Sequence, residues 1–184
     1  LKAFLSDPQE NQRVCAVPGY GSKVPIYILG SSLFGAQLAA ILGLPFAFAS
    51  HFAPDALEQA IGIYRSEFEP SEQLQEPHVM LGFSVCAADT NDEATYLKSS
   101  GLQALINLRS GNPGPLPAPI RDFEKNLCGV EKQLVSQSKS ASSTGAMSKI
   151  REDVSNFISY TQADELIITS QIFEHSARVR SYEI

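Results

Sequence analysis

With 184 residues, 43% of them apolar and 18% charged, the chain reads as an ordinary globular protein with enough apolar mass for one packed domain. Its net charge of −6 argues against nucleic acid as the main partner, because a phosphate backbone calls for a basic surface. No apolar run approaches the ~18 residues of a membrane span, so no membrane partner is expected.

The three cysteines, Cys15, Cys86 and Cys128, form no CxxC pair. Such a sparse, odd set suits a reducing compartment, which sets the expectation of a cytoplasmic protein with no metal site. The chain starts at Leu1 inside a short helical pattern, Leu1 to Leu5, without an initiator Met. It therefore reads as a piece of a longer protein.

In chain order, Val24 to Leu29 is apolar and rich in β-branched residues, the composition of a fully buried strand. Gly30-Ser31-Ser32 follows, then a helix with Leu33, Ala36, Ala39, Ala40 and Ile41 on one side. Gly43 supplies its C-terminal cap and Pro45 prevents its continuation. Phe46 to Ser50 forms the second strand, with His51 and Phe52 at its end. Ala53-Pro54-Asp55 opens the second helix, whose stripe is Leu57, Ala60, Ile61, Tyr64 and Phe68.

Val79 to Ala87 is the third strand, in which Gly82 marks the close approach of a neighbouring backbone. Thr90 to Glu93 has the spacing of a capping box, opening a helix that runs to Arg109 despite Gly101. Residues 110–119 are too rich in Pro and Gly for regular structure. A helix is expected over about Ile120 to Val135, a serine-rich loop over 136–144, and a further helix carrying Ile150, Val154, Phe157 and Ile158. Glu165 to Ser170 is the fourth strand, and Gln171 to Tyr182 the closing helix.

Strands alternating with helices imply a parallel sheet, either open and doubly wound or curved into a barrel with helices outside. Ligands in both architectures sit at the C-terminal strand ends. That rule singles out Gly30-Ser31-Ser32, Ser50-His51-Phe52, Ala88-Asp89 and Ser170-Gln171. At the first, two hydroxyls and a helix start form a natural phosphate site, while a serine that simply caps the helix satisfies the same pattern. His51 is either a hydrogen-bonding group at a pocket floor or a ring stacked among Phe48, Phe52 and the next helix. His78 and His175 read as structural or solvated. The paired carboxylates at 92–93, 152–153 and 164–165 lie at helix starts or on exposed faces. No acid, base or nucleophile identifies a reaction.

The stretch Val24 to Pro54, VPIYILGSSLFGAQLAAILGLPFAFASHFAP, resembles the bacterial-luciferase-like flavin monooxygenases. Val14 to Gly19, Val79 to Glu93 and Ala163 to Tyr182 fit the same family in order. The resemblance implies strands five to eight of a TIM-like (β/α)8 barrel, as a single partial-barrel domain over 1–184. It implies reduced FMN as cofactor and a small organic molecule as substrate. Gly30, Ser31 and Ser32 match positions near the FMN phosphate, and Ser50 and His51 lie beside its ring. Gly35 departs from relatives that carry a hydroxyl there. The family's N-terminal half supplies further flavin contacts and a catalytic histidine, and no stretch here matches it. The isolated chain is accordingly expected to be inactive and to pair with that missing half or with a second copy of itself. The rival expectations are a non-catalytic flavin-binding half barrel and an α/β binding module without flavin.

Overall fold

The computed structural model describes residues 1–184. Its elements run α1 (Lys2–Leu5), β1 (Ile28–Gly30), α2 (Leu33–Ile41), β2 (Phe46–Phe48), α3 (Leu57–Ser66), β3 (Val79–Ala87), α4 (Asn91–Arg109), α5 (Gly129–Ser138), β4 (Ser142–Gly145), α6 (Met147–Thr161), β5 (Glu165–Thr169) and α7 (His175–Glu183). Short 3-10 turns cover Pro54–Ala56, Phe123–Asn126 and Lys139–Ala141. No helix is long and apolar enough to cross a membrane.

All strand pairs are parallel, and β3 is their hub. Met80 is opposite both Ala47 of β2 and Glu165 of β5, so these strands occupy the two edges of β3. Ser84 is likewise opposite both Ser142 of β4 and Thr169 of β5, which places β4 on the same edge as β2. The order is β1-β2-β3-β5, with β4 extending the sheet beside the last four residues of β3. This is the parallel α/β arrangement of one side of a (β/α)8 barrel.

The four expected strands are present and a fifth joins them. Residues 136–144 were expected to be a loop. They instead close α5, make a 3-10 turn and enter β4. Backbone pairing to Ser84–Ala87 supplies what serine-rich side chains do not, and the buried Ser143 hydroxyl donates to Asp153 Oδ2 at 2.6 Å. The first strand is shorter than expected. Val24 to Tyr27 find no partner strand, and the Gln73 side chain instead bonds both Ile26 N–H and Ile26 C=O, at 3.1 and 2.9 Å. The second ends at Phe48, where Ala49 N–H turns to Gly30 O and Ser50 N–H back to Phe48 O.

The helix expected over Ile120 to Val135 is broken. Asp122 adopts a left-handed conformation, and the Glu131 carboxylate accepts the Cys128 N–H at 2.8 Å to start α5 afresh. Only half of the capping box at α4 forms: Thr90 Oγ1 accepts from Glu93 N–H at 3.2 Å, while the exposed Glu93 side chain stays in solvent. Gly43 behaves as expected. At φ +58°, it and Leu44 donate to Ala40 O and Ala39 O, the paired bonds of a Schellman cap.

Alternate β3 residues Val79, Leu81, Phe83, Val85 and Ala87 face the main core. They pack there with Ala36, Ala39 and Ala40 of α2, with Leu57, Ala60, Ile61 and Tyr64 of α3, and with Phe157 of α6. On the other side of β3, Cys86 packs with Ala88, Ala94, Leu97 and Ile172 under α4. The outer strands are poorly covered: Leu29 of β1 is 71% exposed, and Ile167 and Ile168 of β5 are 44% and 36% exposed. Apolar side chains on unpaired parallel edges mark a surface that another chain segment would cover.

Candidate functional site

The turn after β1 is built from small residues because strand end and helix start nearly touch. A Cβ added to either Gly30 or Gly35 would lie 3.4 Å from the other's Cα. Ser31 and Ser32 between them are exposed. Ser32 holds the N-cap position in extended conformation (φ −140°, ψ 165°), yet its side chain makes no cap hydrogen bond. The first amides of α2 are thus left without a side-chain acceptor, next to two hydroxyls. Unsatisfied amides at the positive end of a helix form an anion site.

β2 delivers two side chains with different fates. Ser50 is wholly buried and its Oγ donates to Gly82 O at 2.6 Å. Its one donor is thereby committed to tying the end of β2 to β3, and only its oxygen remains as an acceptor. His51 is half-buried, and its ring lies on the face of β3 opposite the main core, over Gly82. Gly82 was read as admitting a backbone, but it admits this imidazole. Nδ1 is buried without a hydrogen-bond partner. Burial pushes the imidazole pKa below its ordinary value, the adjacent Gly82 backbone opposes that shift in part, and the Lys98 charge adds to it.

His51 also borders a cavity of about 280 Å3 with Phe52, Leu105, Arg109 and Leu134. The Arg109 guanidinium closes one side, 5.2 Å from the Phe52 ring centroid and 3.2 Å from Phe52 O. At the end of β5, Ser170 Oγ is a second buried polar atom with no partner. Asp89, at the end of β3, is instead paired with Arg180 at 2.8 Å, and His78 with Glu165 at 3.2 Å. A bond from Ala49 N–H to Gly30 O brings the ends of β1 and β2 together, though Ser31 and Ser32 do not line the cavity at His51.

Two features were missed in the sequence. One is Arg109, read only as a helix end. The other is Lys98, which lies in a larger cavity of about 570 Å3 between α4, β4 and α6. The signal was present: Lys98 is four residues from both Ala94 and Leu102, on the buried stripe of α4.

A profile described as luciferase-like monooxygenase matches residues 4–158. The chain belongs to the luciferase-like monooxygenase family. A luciferase-like monooxygenase of Escherichia coli (strain K12) is 47% identical over 174 residues, covering 95% of this chain and 52% of that protein. The uncharacterized protein YvbT of Bacillus subtilis (strain 168) is 42% identical over 181 residues, covering 98% and 54%. Among solved structures, apo-MsnO8 superposes with a TM-score of 0.77 at 25% identity, over 98% of this chain and 55% of its own. The monooxygenase RslO1 from Streptomyces bottropensis shares the fold, with a TM-score of 0.54 at 15% identity. The chain spans about half the length of the curated relatives it matches.

Proposed function

We propose that this chain is the C-terminal half, strands five to eight, of a cytoplasmic FMN-dependent monooxygenase of the luciferase-like family. In this reading the FMN phosphate sits at Gly30-Ser31-Ser32, and its ring system lies beside His51. The observation that carries it is the juxtaposition of two features at adjacent strand ends: the uncapped start of α2 and the His51 ring, seated on Gly82 and bordering a cavity.

The residues present fit the group. Backbone amides and two free hydroxyls suit a phosphate, and the absent side chain at Gly82 creates the seat that positions the imidazole. Ser50 acts as a positioning residue through Gly82 O. When bound, reduced FMN supplies the electrons that activate O2 for oxidation of a small organic substrate. The chain's own residues bind and orient. Ser31 and Ser32 hold the charged end, His51 offers a neutral ring nitrogen for a hydrogen bond, and Phe52 with Arg109 limits the access of water. The family membership and the bare edges at Leu29, Ile167 and Ile168 support a partner that completes the sheet, either an N-terminal half or a second copy of this chain.

The test is flavin binding followed by fluorescence quenching, with the chain alone and joined to the N-terminal half of the Escherichia coli relative. FMN should bind at least about tenfold tighter than riboflavin, which lacks the phosphate, and Ser31→Ala with Ser32→Ala should erase that preference. Equal affinities for FMN and riboflavin, or no binding in either form, would defeat the reading. Binding by the chain alone would favour a half barrel that works without the other half.

A further inference from the structure

The 570 Å3 cavity lies apart from the turn after β1 and has a distinctive charge pattern. Three lysines and two carboxylates line it. Lys149 Nζ sits 2.8 Å from Asp153 Oδ2, and Lys139 Nζ sits 3.0 Å from Glu124 Oε2, so each carboxylate has its own cation. Lys98 is left over. Its Nζ has one hydrogen-bond partner, the neutral Ser84 Oγ at 3.4 Å, and burial of the amine works against its charge. Glu124 lies near enough to favour the charged amine, but its ion-pair partner is Lys139, so the lining holds three cations to two anions in a partly desolvated setting, where an opposite charge from a ligand interacts more strongly than in water.

The rest of the lining says what kind of molecule brings that charge. Thr144, Asn156 and Tyr160 present hydrogen-bonding groups not engaged by other side chains, whereas Phe83, Leu102 and Phe157 form an apolar wall. The volume lies in the range of small-molecule sites and far exceeds what an inorganic ion fills. The cavity also shares Ser138 with the smaller one at His51, so the two are neighbours.

We infer that this cavity binds a small organic acid, with Lys98 pairing with its single oxyanion and the apolar wall holding its body. Carboxylate and phosphate monoester heads share the chemistry needed. The assignment of this acid as the substrate of the oxidation rests on the flavin reading; the binding itself does not.

The experiment is calorimetric titration of the chain with benzoate, phenyl phosphate and the uncharged benzamide, at constant ionic strength. At least one of the two anions should bind saturably, and at least about tenfold tighter than benzamide. Lys98→Gln should weaken anion binding by about tenfold or more, and Lys98→Arg should retain it. The Ser31→Ala, Ser32→Ala double variant removes the hydroxyls of the proposed phosphate turn, and the Lys98-dependent part of anion binding should persist in it. Failure of both anions to bind, binding of benzamide equal to theirs, or full anion affinity in Lys98→Gln would each overturn the inference. Should Lys98→Gln not fold, the benzamide comparison on the parent chain decides alone. Equal affinity of the parent chain for FMN and riboflavin, with anion binding intact, would remove only the flavin assignment and the substrate role that rests on it.

Discussion

The imidazole of His51 occupies the space that a side chain on Gly82 would take: a Cβ there would fall 2.7 Å from His51 Cε1 and closer still to Nδ1. Gly82→Ala must therefore displace the ring or bend β3, at a cost of about 1–3 kcal/mol. Urea denaturation should show that loss, and His51→Ala should recover most of it in a double-mutant cycle. Additive effects of the two substitutions would show that ring and strand do not compete for that space.

Burial depresses the His51 pKa below its ordinary value of 6.5. The folded chain then binds its proton less readily than the unfolded chain does. The stability contributed by the neutral ring is complete above pH 6.5 and is lost as pH falls through the depressed folded value. A proton NMR titration of the ring hydrogens should give a midpoint below 6.5. A midpoint at or above that value would contradict the seat described for the ring.

Tyr64 is wholly buried, donates its hydroxyl to Leu44 O at 2.9 Å and accepts from His78 N–H at 3.1 Å. It thereby joins α3 to the starts of β2 and β3. Tyr64→Phe keeps the ring packing and strands both backbone groups, which should cost about 1–3 kcal/mol in thermal or urea unfolding. A change within error would mean that solvent reaches those groups.

Cys86 is buried, and desolvation pushes its thiol up to about 11 against a small opposing effect of Lys98. Cys15 and Cys128 are exposed. Mass spectrometry after brief maleimide treatment at pH 8 should find two labels on the native chain and three on the denatured one. Rapid labelling of Cys86 in the native chain would show that α4 lifts from the sheet.

Much of the fold was legible because apolar period and cap chemistry agreed locally. β3 runs over the nine residues expected, and α2 lies between its serines and Gly43 as its sequence indicates. β4 was not legible, because Ser142, Ser143 and Thr144 carry no apolar pattern and become a strand only through the open upper edge of β3. The reverse holds for Val24 to Tyr27, which have strand composition but no neighbour to bond. At the candidate site, Gly30, Ser31, Ser32, Ser50 and His51 stand out in the sequence by their place at strand ends. Lys98 was passed over because a lone lysine in a helix usually points to solvent. What distinguishes it is packing between elements far apart in the chain.

The position of β3 also governs how the molecule comes apart. Like β2 it has partners on both edges, but it alone bonds three strands, β2, β4 and β5, so the two sides of the sheet are joined through it. Opening it detaches everything else, so its middle amides, from Met80 to Ser84, have no route to solvent short of global unfolding. They should be the slowest in the chain to exchange with deuterium, while β1 and β5 fray early and independently.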